Sequence, residues 1–223
     1  MSKDVVLYWS GGKDCAMALH DLRSSGRYTN GYRVSGLLTT LTEGYDRISG
    51  HGVRNSILDQ QADCLRMKVR KTYISRTASM EEYEGVVEKA LTQEREQGVR
   101  VAATGDIFIE KRRMSTLKGL GLLGCFPLQK RDAMDHMRKL LELGFKAYVV
   151  CVDSKVLDQS FAGRLVDPDF MNRLPPGVDP CGENGEYHTF TFDGPIFAEP
   201  VRCRVGEIVF REGYYFSDIL PDN

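Results

Sequence analysis

The chain has 223 residues, of which 42% are hydrophobic, and a formal net charge of −1 from 30 Lys plus Arg and 31 Asp plus Glu. This length and apolar content predict a globular protein with one large domain, or one domain with a small addition. The balanced charge gives no broad attraction to nucleic acid or to an anionic membrane. The sequence shows neither a bilayer-spanning apolar run nor a secretory signal, so we expect a cytoplasmic protein.

Six cysteines are scattered along the chain, and no two of them are separated by only two residues. This spacing disfavours a disulfide framework, a structural zinc site and a CxxC redox centre. We expect most of these cysteines to be small, buried apolar residues.

Strand and helix patterns alternate along the first two thirds of the chain. The apolar segment DVVLYWS at 4–10 predicts a buried strand, and DCAMALHDLRSSG after it predicts a helix. The helix at 79–98 is the clearest, because Ser79 and Glu82 have the spacing of a capping box. The predicted strands are 4–10, 32–41, 69–77, 99–109 and 146–153, with a short apolar segment at 122–128. The predicted helices are 14–26, 54–67, 79–98, 110–121 and 130–144.

This alternation, with continuous apolar strands, predicts an α/β fold with a doubly wound parallel sheet. The pattern changes after about Asp153: residues 154–167 are compatible with a helix, 168–200 are rich in Gly and Pro, and 201–219 predict a β-hairpin. We therefore expect an α/β domain over 1–153 and a small irregular C-terminal α+β part over 154–223.

The turn after the first strand is a candidate anion site. Ser10, Gly11, Gly12, Lys13 and Asp14 lie between a strand and a helix N-terminus, where free backbone N–H groups and the helix dipole favour an anion. The glycines allow close backbone approach, and Lys13 adds a positive charge. The segment fits neither GxxxxGK[ST] nor GxGxxG. The alternative is a plain glycine turn with an aspartate cap.

A second candidate lies at 179–197, DPCGENGEYHTFTFDGPIF. Glu183 and Glu186 are followed by Tyr187, His188 and Thr189. Such a cluster is suited to binding ammonium or Mg²⁺, or to acid–base catalysis. The alternative is a polar turn that leads into a strand, with the His and Thr on the surface.

Both motifs resemble those of one family. SGGKD after a first strand resembles the PP-loop of the N-type ATP pyrophosphatases, and GENGEYHTF at 182–190 is similar to the GEGGEYETF signature of the diphthine–ammonia ligases and their prokaryotic relatives. The stretches ATGDIFIEKRR at 103–113 and FAGRLVD at 161–167 are also similar to that family, as is the segment 126–153. The resemblance therefore covers nearly the whole chain, with its motifs in the expected order.

The resemblance implies a HUP-like PP-loop fold, binding of ATP with Mg²⁺, adenylation of a substrate carboxylate, release of pyrophosphate and amide formation with ammonia. The catalytic candidates are Lys13, Asp14, Glu183 and Glu186, with Asp14 also as the metal ligand. The nucleotide-binding candidates are Ser10, Gly11, Gly12, Lys13, Asp14, Cys15, Thr39, Gly105 and Asp106. The substrate-binding candidates are Arg113, Glu183, Asn184, Glu186, Tyr187 and His188.

The sequence departs from the family pattern at three positions. Cys15 stands where the PP-loop usually has Ser, and a thiol is a weak hydrogen-bond donor. Gln129 replaces a usual Trp, and His188 stands where the eukaryotic members tend to have Glu. His51 resembles a family position near the nucleotide, although an exposed loop histidine is the commoner explanation.

The implied partners are ATP, ammonia and a carboxylate acceptor, for which diphthine on elongation factor 2 is the family's example; we expect no membrane or nucleic-acid partner and consider a homo-oligomer. One alternative is a PP-loop tRNA-modifying enzyme, which the missing CxxC pairs and balanced charge disfavour. The other is a non-catalytic protein of the same fold that binds adenine nucleotides.

Overall fold

The apolar segment that opens the chain forms strand β1 (Lys3–Tyr8) in the computed structural model, which describes residues 3–29, 31–108 and 111–222. The chain divides into two compact units. The first contains residues 1–10, 14–46 and 67–130, and the second contains 11–13, 47–66 and 131–223. Each unit is made of several chain segments, whereas the predicted domains are two continuous segments, 1–153 and 154–223. The division at residue 153 stays a prediction.

The first unit contains most of the strands and helices expected over the first two thirds of the chain. The helices predicted at 54–67 and 130–144 lie mainly in the second unit. The further strands of the first unit are β2 (Tyr32–Thr42), β4 (Val69–Ile74), β5 (Val101–Ala103) and β6 (Leu123–Cys125). Its helices are α1 (Lys13–Ser24, of which Lys13 belongs to the second unit), α2 (Gly26–Thr29), α4 (Met80–Glu96) and α5 (Lys111–Gly119). Ile109 and Glu110, at the end of a predicted strand and the start of a predicted helix, lie outside the described residues.

The strands of the first unit form a parallel sheet. β4, β2, β1, β5 and β6 are hydrogen-bonded neighbours in that order, and each of these pairs is parallel. The chain thus runs outward from β1 to β4 and then returns to place β5 on the other side of β1, which is the strand order of a doubly wound sheet. The expected fold class is confirmed, and the order reverses between β1 and β5, where such sheets bind ligands.

Helix α4 covers this sheet with the apolar stripe that the sequence predicts. Val87 and Leu91 pack in one core cluster with Val6 of β1 and Ala102 of β5. The predicted capping box is present: Ser79 Oγ accepts from the Glu82 N–H at 3.2 Å, and a Glu82 carboxylate oxygen accepts from the Ser79 N–H at 2.7 Å. Local capping and a buried stripe therefore agree in placing this helix.

The second unit is built around an antiparallel sheet. The four strands of this sheet are β7 (Lys146–Asp153), β8 (Tyr187–Asp193), β9 (Cys203–Arg211) and β10 (Tyr214–Pro221), and the unit also contains the short strand β3 (Arg47–Ile48) outside this sheet. Its helices are α3 (Asn55–Cys64), α6 (Ala133–Glu142) and α7 (Pro168–Arg173), with a 3-10 turn at Gln159–Phe161. The strand order β8-β7-β10-β9 includes the expected hairpin of β9 and β10.

Strand β7 corrects one expectation. The sequence predicts a strand at 146–153 and assigns it to the parallel sheet, but β7 pairs antiparallel with both β8 and β10. Its residues Ala147, Val149, Val150 and Val152 are fully buried. A strand buried on both faces has a continuous apolar pattern whether its neighbours are parallel or antiparallel, so the pattern alone does not assign its sheet.

The segment 154–167 is not a helix. Asp158 caps only the single 3-10 turn, and the chain then runs beside β7, where the Gly163 N–H donates to the Val149 carbonyl and the Val149 N–H donates to the Arg164 carbonyl, both at 2.8 Å. Gly163 has φ +76°. In a helix the backbone N–H and C=O groups of this segment would bond to one another. Here they form their hydrogen bonds with β7 instead.

Among the described residues, no helix is long and apolar enough to cross a membrane.

Gly105→Ala should destabilise the protein, because a Cβ at this position would lie 2.6 Å from the Cys15 backbone nitrogen and 2.8 Å from the Asp14 carbonyl oxygen. Overpacking of this kind costs about 1–3 kcal/mol. Gly85→Ala in α4 is the matched control, since a Cβ there meets nothing within 4 Å, and alanine is the better helix former. Thermal denaturation should show a lower Tm for Gly105→Ala only; an equal Tm for both variants would contradict the close approach.

Candidate functional site

The glycine turn after β1 lies along the edge of β8 in the second unit. The Thr191 N–H donates to the Gly11 carbonyl at 2.8 Å, and the Lys13 N–H donates to Thr189 Oγ1 at 3.0 Å. Gly11 has φ +79°, and a Cβ there would lie 3.0 Å from Gln61 Oε1. The first motif is therefore held against the strand that ends the second motif, and only glycine fits the Gly11 position without strain.

Gln61, which the sequence analysis did not single out, holds this junction together. Its side chain is fully buried, and Nε2 donates to the Gly11 carbonyl at 3.0 Å and to the Thr191 carbonyl at 2.6 Å. It comes from α3 and lies among the buried positions Ile57, Leu58 and Ala62 of that helix. An amide on the apolar face of a predicted helix is the signal that would have found it, because a buried amide requires a partner.

Lys13 is buried, with 2% of its surface exposed. Its Nζ donates to the Cys181 carbonyl and lies 5.2 Å from the centre of the Tyr187 ring. The Tyr187 hydroxyl donates to the Pro180 carbonyl at 2.5 Å. The cation of the glycine turn is therefore held by the segment that leads into β8, in a setting where a carbonyl dipole and an aromatic face stabilise the charge.

Glu186 organises the loop before β8. It is 5% exposed, and its carboxylate accepts from the Asp179 N–H at 3.1 Å and from the Asn184 N–H and Nδ2, each at 2.9 Å. Burial alone would raise the pKa of Glu186, but these donors hold its pKa below the ordinary value. The carboxylate thus orders the loop that carries Glu183, which is half-buried, and Asn184, which is exposed.

A second group of candidates lies in the first unit, at the carboxyl ends of β1 and β5. Asp106 accepts from Thr104 Oγ1 at 3.1 Å and forms an ion pair with Arg113. The Arg113 guanidinium lies 5.6 Å from the centre of the Tyr8 ring. Burial raises the pKa of Tyr8 well above its usual value, and Arg113 opposes that rise. Asp106 and Arg113 are therefore placed together.

The remaining nucleotide candidates of the first unit lie near the start of α1. Asp14 is in its first turn, and Cys15 Sγ lies 3.6 Å from Ser10 Oγ, within hydrogen-bonding distance for sulfur. Thr39 is 1% exposed and donates through Oγ1 to the Trp9 carbonyl at 2.7 Å. The Thr39 hydroxyl is thus used inside the fold.

His188 of β8 is in contact with His51, and their ring centres are 4.5 Å apart with an interplanar angle of 38°. Both side chains are half-buried. His51 lies in the turn after β3, where the Ile48 N–H donates to the Val53 carbonyl at 2.8 Å. The contact joins two residues that the sequence analysis treated separately, because nothing in the sequence brings positions 51 and 188 together.

The candidates therefore fall into two groups. The second unit contains the candidates Gly11, Gly12, Lys13, Glu183, Asn184, Glu186, Tyr187 and His188. The first unit contains Ser10, Asp14, Cys15, Thr39, Gly105, Asp106 and Arg113. The roles assigned to these residues stay predictions.

Comparison with known proteins supports the resemblance. Residues 132–219, which lie in the second unit, match the family model of the diphthamide synthase C-terminal domain. The diphthine–ammonia ligase of Homo sapiens is 28% identical over 136 residues, which cover 58% of this chain and 51% of the human protein. The Mus musculus enzyme is 29% identical over the same length and the same shares. The chain thus spans about half the length of the curated relatives it matches.

Two solved structures are similar at lower levels. A predicted subunit of a tRNA methyltransferase from Methanocaldococcus jannaschii matches with a TM-score of 0.45 and 14% identity over 84% of this chain and 95% of that chain. The tRNA thiolase NcsA from Methanococcus maripaludis, with its 4Fe-4S cluster, matches with a TM-score of 0.41 and 18% identity over 64% of this chain and 57% of that chain.

Glu186→Gln should lower the free energy of unfolding at pH 7 by about 1–3 kcal/mol, because an amide cannot accept all three loop hydrogen bonds. The pKa of Glu186 is lower in the folded state, so its carboxylate stabilises the fold above pH ~4.3, the unfolded pKa. That contribution is lost as the pH falls through the folded value.

Urea denaturation at several pH values measures this effect, and Glu207→Gln on the exposed part of β9 is the control. The difference between Glu186→Gln and the parent should narrow on acidification. A difference that stays constant down to pH 3 would contradict the carboxylate role.

Proposed function

We propose that this chain, which is similar to the diphthine–ammonia ligases and matches the diphthamide synthase C-terminal domain over residues 132–219, is an ATP-dependent ligase of the PP-loop type. It adenylates a substrate carboxylate, releases pyrophosphate and forms an amide with ammonia. The acceptor is a carboxylate for which diphthine on elongation factor 2 is the first candidate, since the curated relatives are diphthine–ammonia ligases.

One observation carries this proposal: the glycine turn and the GENGEYHTF motif are bonded to one another. The Lys13 N–H donates to Thr189 and its ammonium to Cys181, across sequence separations of 176 and 168 residues. A phosphate bound at the turn and a substrate bound at the adjacent carboxylate-rich loop would be held close enough to react with one another.

The residues of the turn fit the phosphates of ATP. Gly11 and Gly105 each lie where a Cβ would contact other atoms at 3.0 Å or less, so the backbone is drawn close at both positions. Lys13 supplies a desolvated positive charge, and Ser10 a hydroxyl, to the anion. Asp14 and Asp106 offer the carboxylate oxygens that Mg²⁺ prefers, and Mg²⁺ would neutralise the charge of the phosphates during the displacement.

The proposed reaction has two displacements. First, an oxygen of the substrate carboxylate attacks the α-phosphorus, and the bond to the bridging oxygen of pyrophosphate breaks. Then the nitrogen of ammonia attacks the acyl carbon, the carbon–oxygen bond to AMP breaks, AMP leaves with the electron pair, and the nitrogen loses one proton. The first step brings two anions together, so it needs Lys13 and oriented N–H donors; the second requires that water be kept away.

In the acceptor part of the site, Glu183 is the carboxylate proposed to bind ammonium. Asn184, Tyr187 and His188 are proposed to contact the acceptor, and Glu186 holds the loop in place for them. Arg113 is proposed to contact the acceptor or the phosphates.

Incubation with ATP, Mg²⁺, ammonium and a panel of carboxylates that includes diphthine-modified elongation factor 2 tests this function. We expect AMP and pyrophosphate in equal amounts and an amide product. Binding of ATP without release of pyrophosphate would favour a nucleotide-binding protein, and release of ADP would contradict PP-loop chemistry. Release of AMP and pyrophosphate only when tRNA replaces the carboxylates would favour the tRNA-modifying enzyme.

Lys13→Met should reduce pyrophosphate release by at least about 100-fold, a loss typical of removing one preorganised electrostatic contact. Lys89→Met on the exposed face of α4 is the matched control. Circular dichroism and Tm establish that both variants fold. Turnover of Lys13→Met at the parent rate would contradict the role of this cation.

A further inference from the structure

Strand β9 is an edge of the antiparallel sheet in the described structure, because β10 is its only neighbour there. Its end next to the hairpin turn is apolar and exposed. Phe210 is 61% exposed, more than any other large hydrophobic side chain described in the second unit, and Val209 is 36% exposed. Edge strands that stay single are commonly protected by Lys or Pro, and the segment 207–211 contains neither.

The backbone of this segment directs hydrogen-bonding groups outward. The two-residue turn at 212–213 has positive φ at both positions, +52° and +89°, which is typical of a type I′ hairpin turn. Arg211 and Tyr214 flank this turn as opposed residues and bond to one another. Bonded and non-bonded positions alternate along an antiparallel pair. Ile208 and Phe210 therefore point their N–H and C=O groups away from β10.

The side chains of 207–211 alternate between the two faces of the sheet. Pairing with β10 continues without a break from Arg211 to Ile208, and its register shifts only beyond that point. Glu207, Val209 and Arg211 therefore share one face, and all three are exposed. Ile208 and Phe210 share the other face. The segment thus has an acid and a base at its two ends with apolar residues between them.

This pattern is complementary to itself. Two copies of an edge strand pair antiparallel about a two-fold axis perpendicular to the sheet. With Val209 on the axis, Glu207 lies opposite Arg211 of the second copy, and Ile208 lies opposite Phe210 of the second copy. With Ile208 on the axis, Glu207 would lie opposite Val209; with Phe210 on the axis, Val209 would lie opposite Arg211. Charge complementarity therefore selects the register centred on Val209.

The same register uses the outward backbone groups. Ile208 lies opposite Phe210 of the second copy at two places, and at each place the two residues exchange both of their backbone hydrogen bonds. The paired segments are short, and small interfaces bind weakly. We therefore expect a dissociation constant of about 10 μM or more, and a monomer in dilute solution.

We propose that β9 is a dimerisation edge, at which two copies of this chain pair antiparallel through residues 207–211. The pairing joins the two antiparallel sheets into one continuous sheet. The partner is a second copy of this chain, and the proposal is independent of the ligase function.

Sedimentation equilibrium from about 1 to about 200 μM protein tests the association. We expect a monomer–dimer equilibrium that Phe210→Lys weakens by about tenfold or more, because a charge then lies opposite an apolar side chain at the edge. Val156→Lys is the matched control, since Val156 is 40% exposed in the same unit and lies outside the strand. A parent protein that stays monomeric throughout, or equal effects of the two variants, would overturn the proposal.

Exchange of charges tests the register itself. Glu207→Arg and Arg211→Glu should each weaken the dimer by about tenfold or more, because like charges then lie opposite one another at two places. The double variant should dimerise within a few-fold of the parent. An equimolar mixture of the two single variants should form a heterodimer, since each arginine of one copy then meets a glutamate of the other. Circular dichroism establishes that all variants fold. Single variants that dimerise like the parent, or a mixture that stays monomeric, would contradict this register.

A disulfide across the axis provides a separate measurement. Val209 would form a non-hydrogen-bonded pair with its own copy, in which the Cα atoms are about 4.5 Å apart, a separation that a disulfide spans. With oxidised glutathione as oxidant, two Val209→Cys thiols lose two protons and pass two electrons to the glutathione disulfide, and a covalent dimer should form. Val156→Cys and the parent, which has six native cysteines, are the controls. No covalent dimer of Val209→Cys, or equal amounts in the controls, would also overturn the proposal.

Discussion

The Gly11 carbonyl is the point on which the second unit depends. It accepts hydrogen bonds from the Thr191 N–H and from Gln61, and both donors are buried. A buried carbonyl that lost these donors would cost about 1–3 kcal/mol. The same two hydrogen bonds fix where Lys13 lies along β8, and therefore where its ammonium group meets the Cys181 carbonyl. The position of this buried cation thus depends on a backbone group that carries no charge.

Much of the first unit follows from local signals in the sequence. Each of these signals spans only a few residues: the apolar segment at 4–10, the capping box of α4, and the strand pattern that follows each helix. The sheet order follows from these because short crossovers leave few alternatives. The assignment of β7 failed for a different reason: its apolar pattern records burial on both faces, while its partners β8 and β10 lie 34 or more residues further along the chain.

The candidate site divides in the same way. Gly11, Gly12 and Lys13 can be found from sequence because a turn between strand and helix needs particular residue types. The role of Glu186 cannot be found from sequence, because a glutamate that binds substrate and a glutamate that orders its own loop are the same residue type. Only the donors at Asp179 and Asn184 distinguish them. Gln61 and the His51–His188 contact depend on pairings across 130 and 137 positions, which local pattern does not encode.

The attachment of residues 11–13 to β8 also bears on aggregation. β8 is the outermost strand of its sheet in the described structure, and such an edge invites pairing with another chain unless something covers it. Here residues 11–13 cover the edge, and they are synthesised long before β8. Closing a loop of this length is slow and entropically costly. Until it closes, the β-prone HTFTF stretch at 188–192 is exposed as a pairing edge, so misassembly at β8 should be sensitive to how early this contact forms.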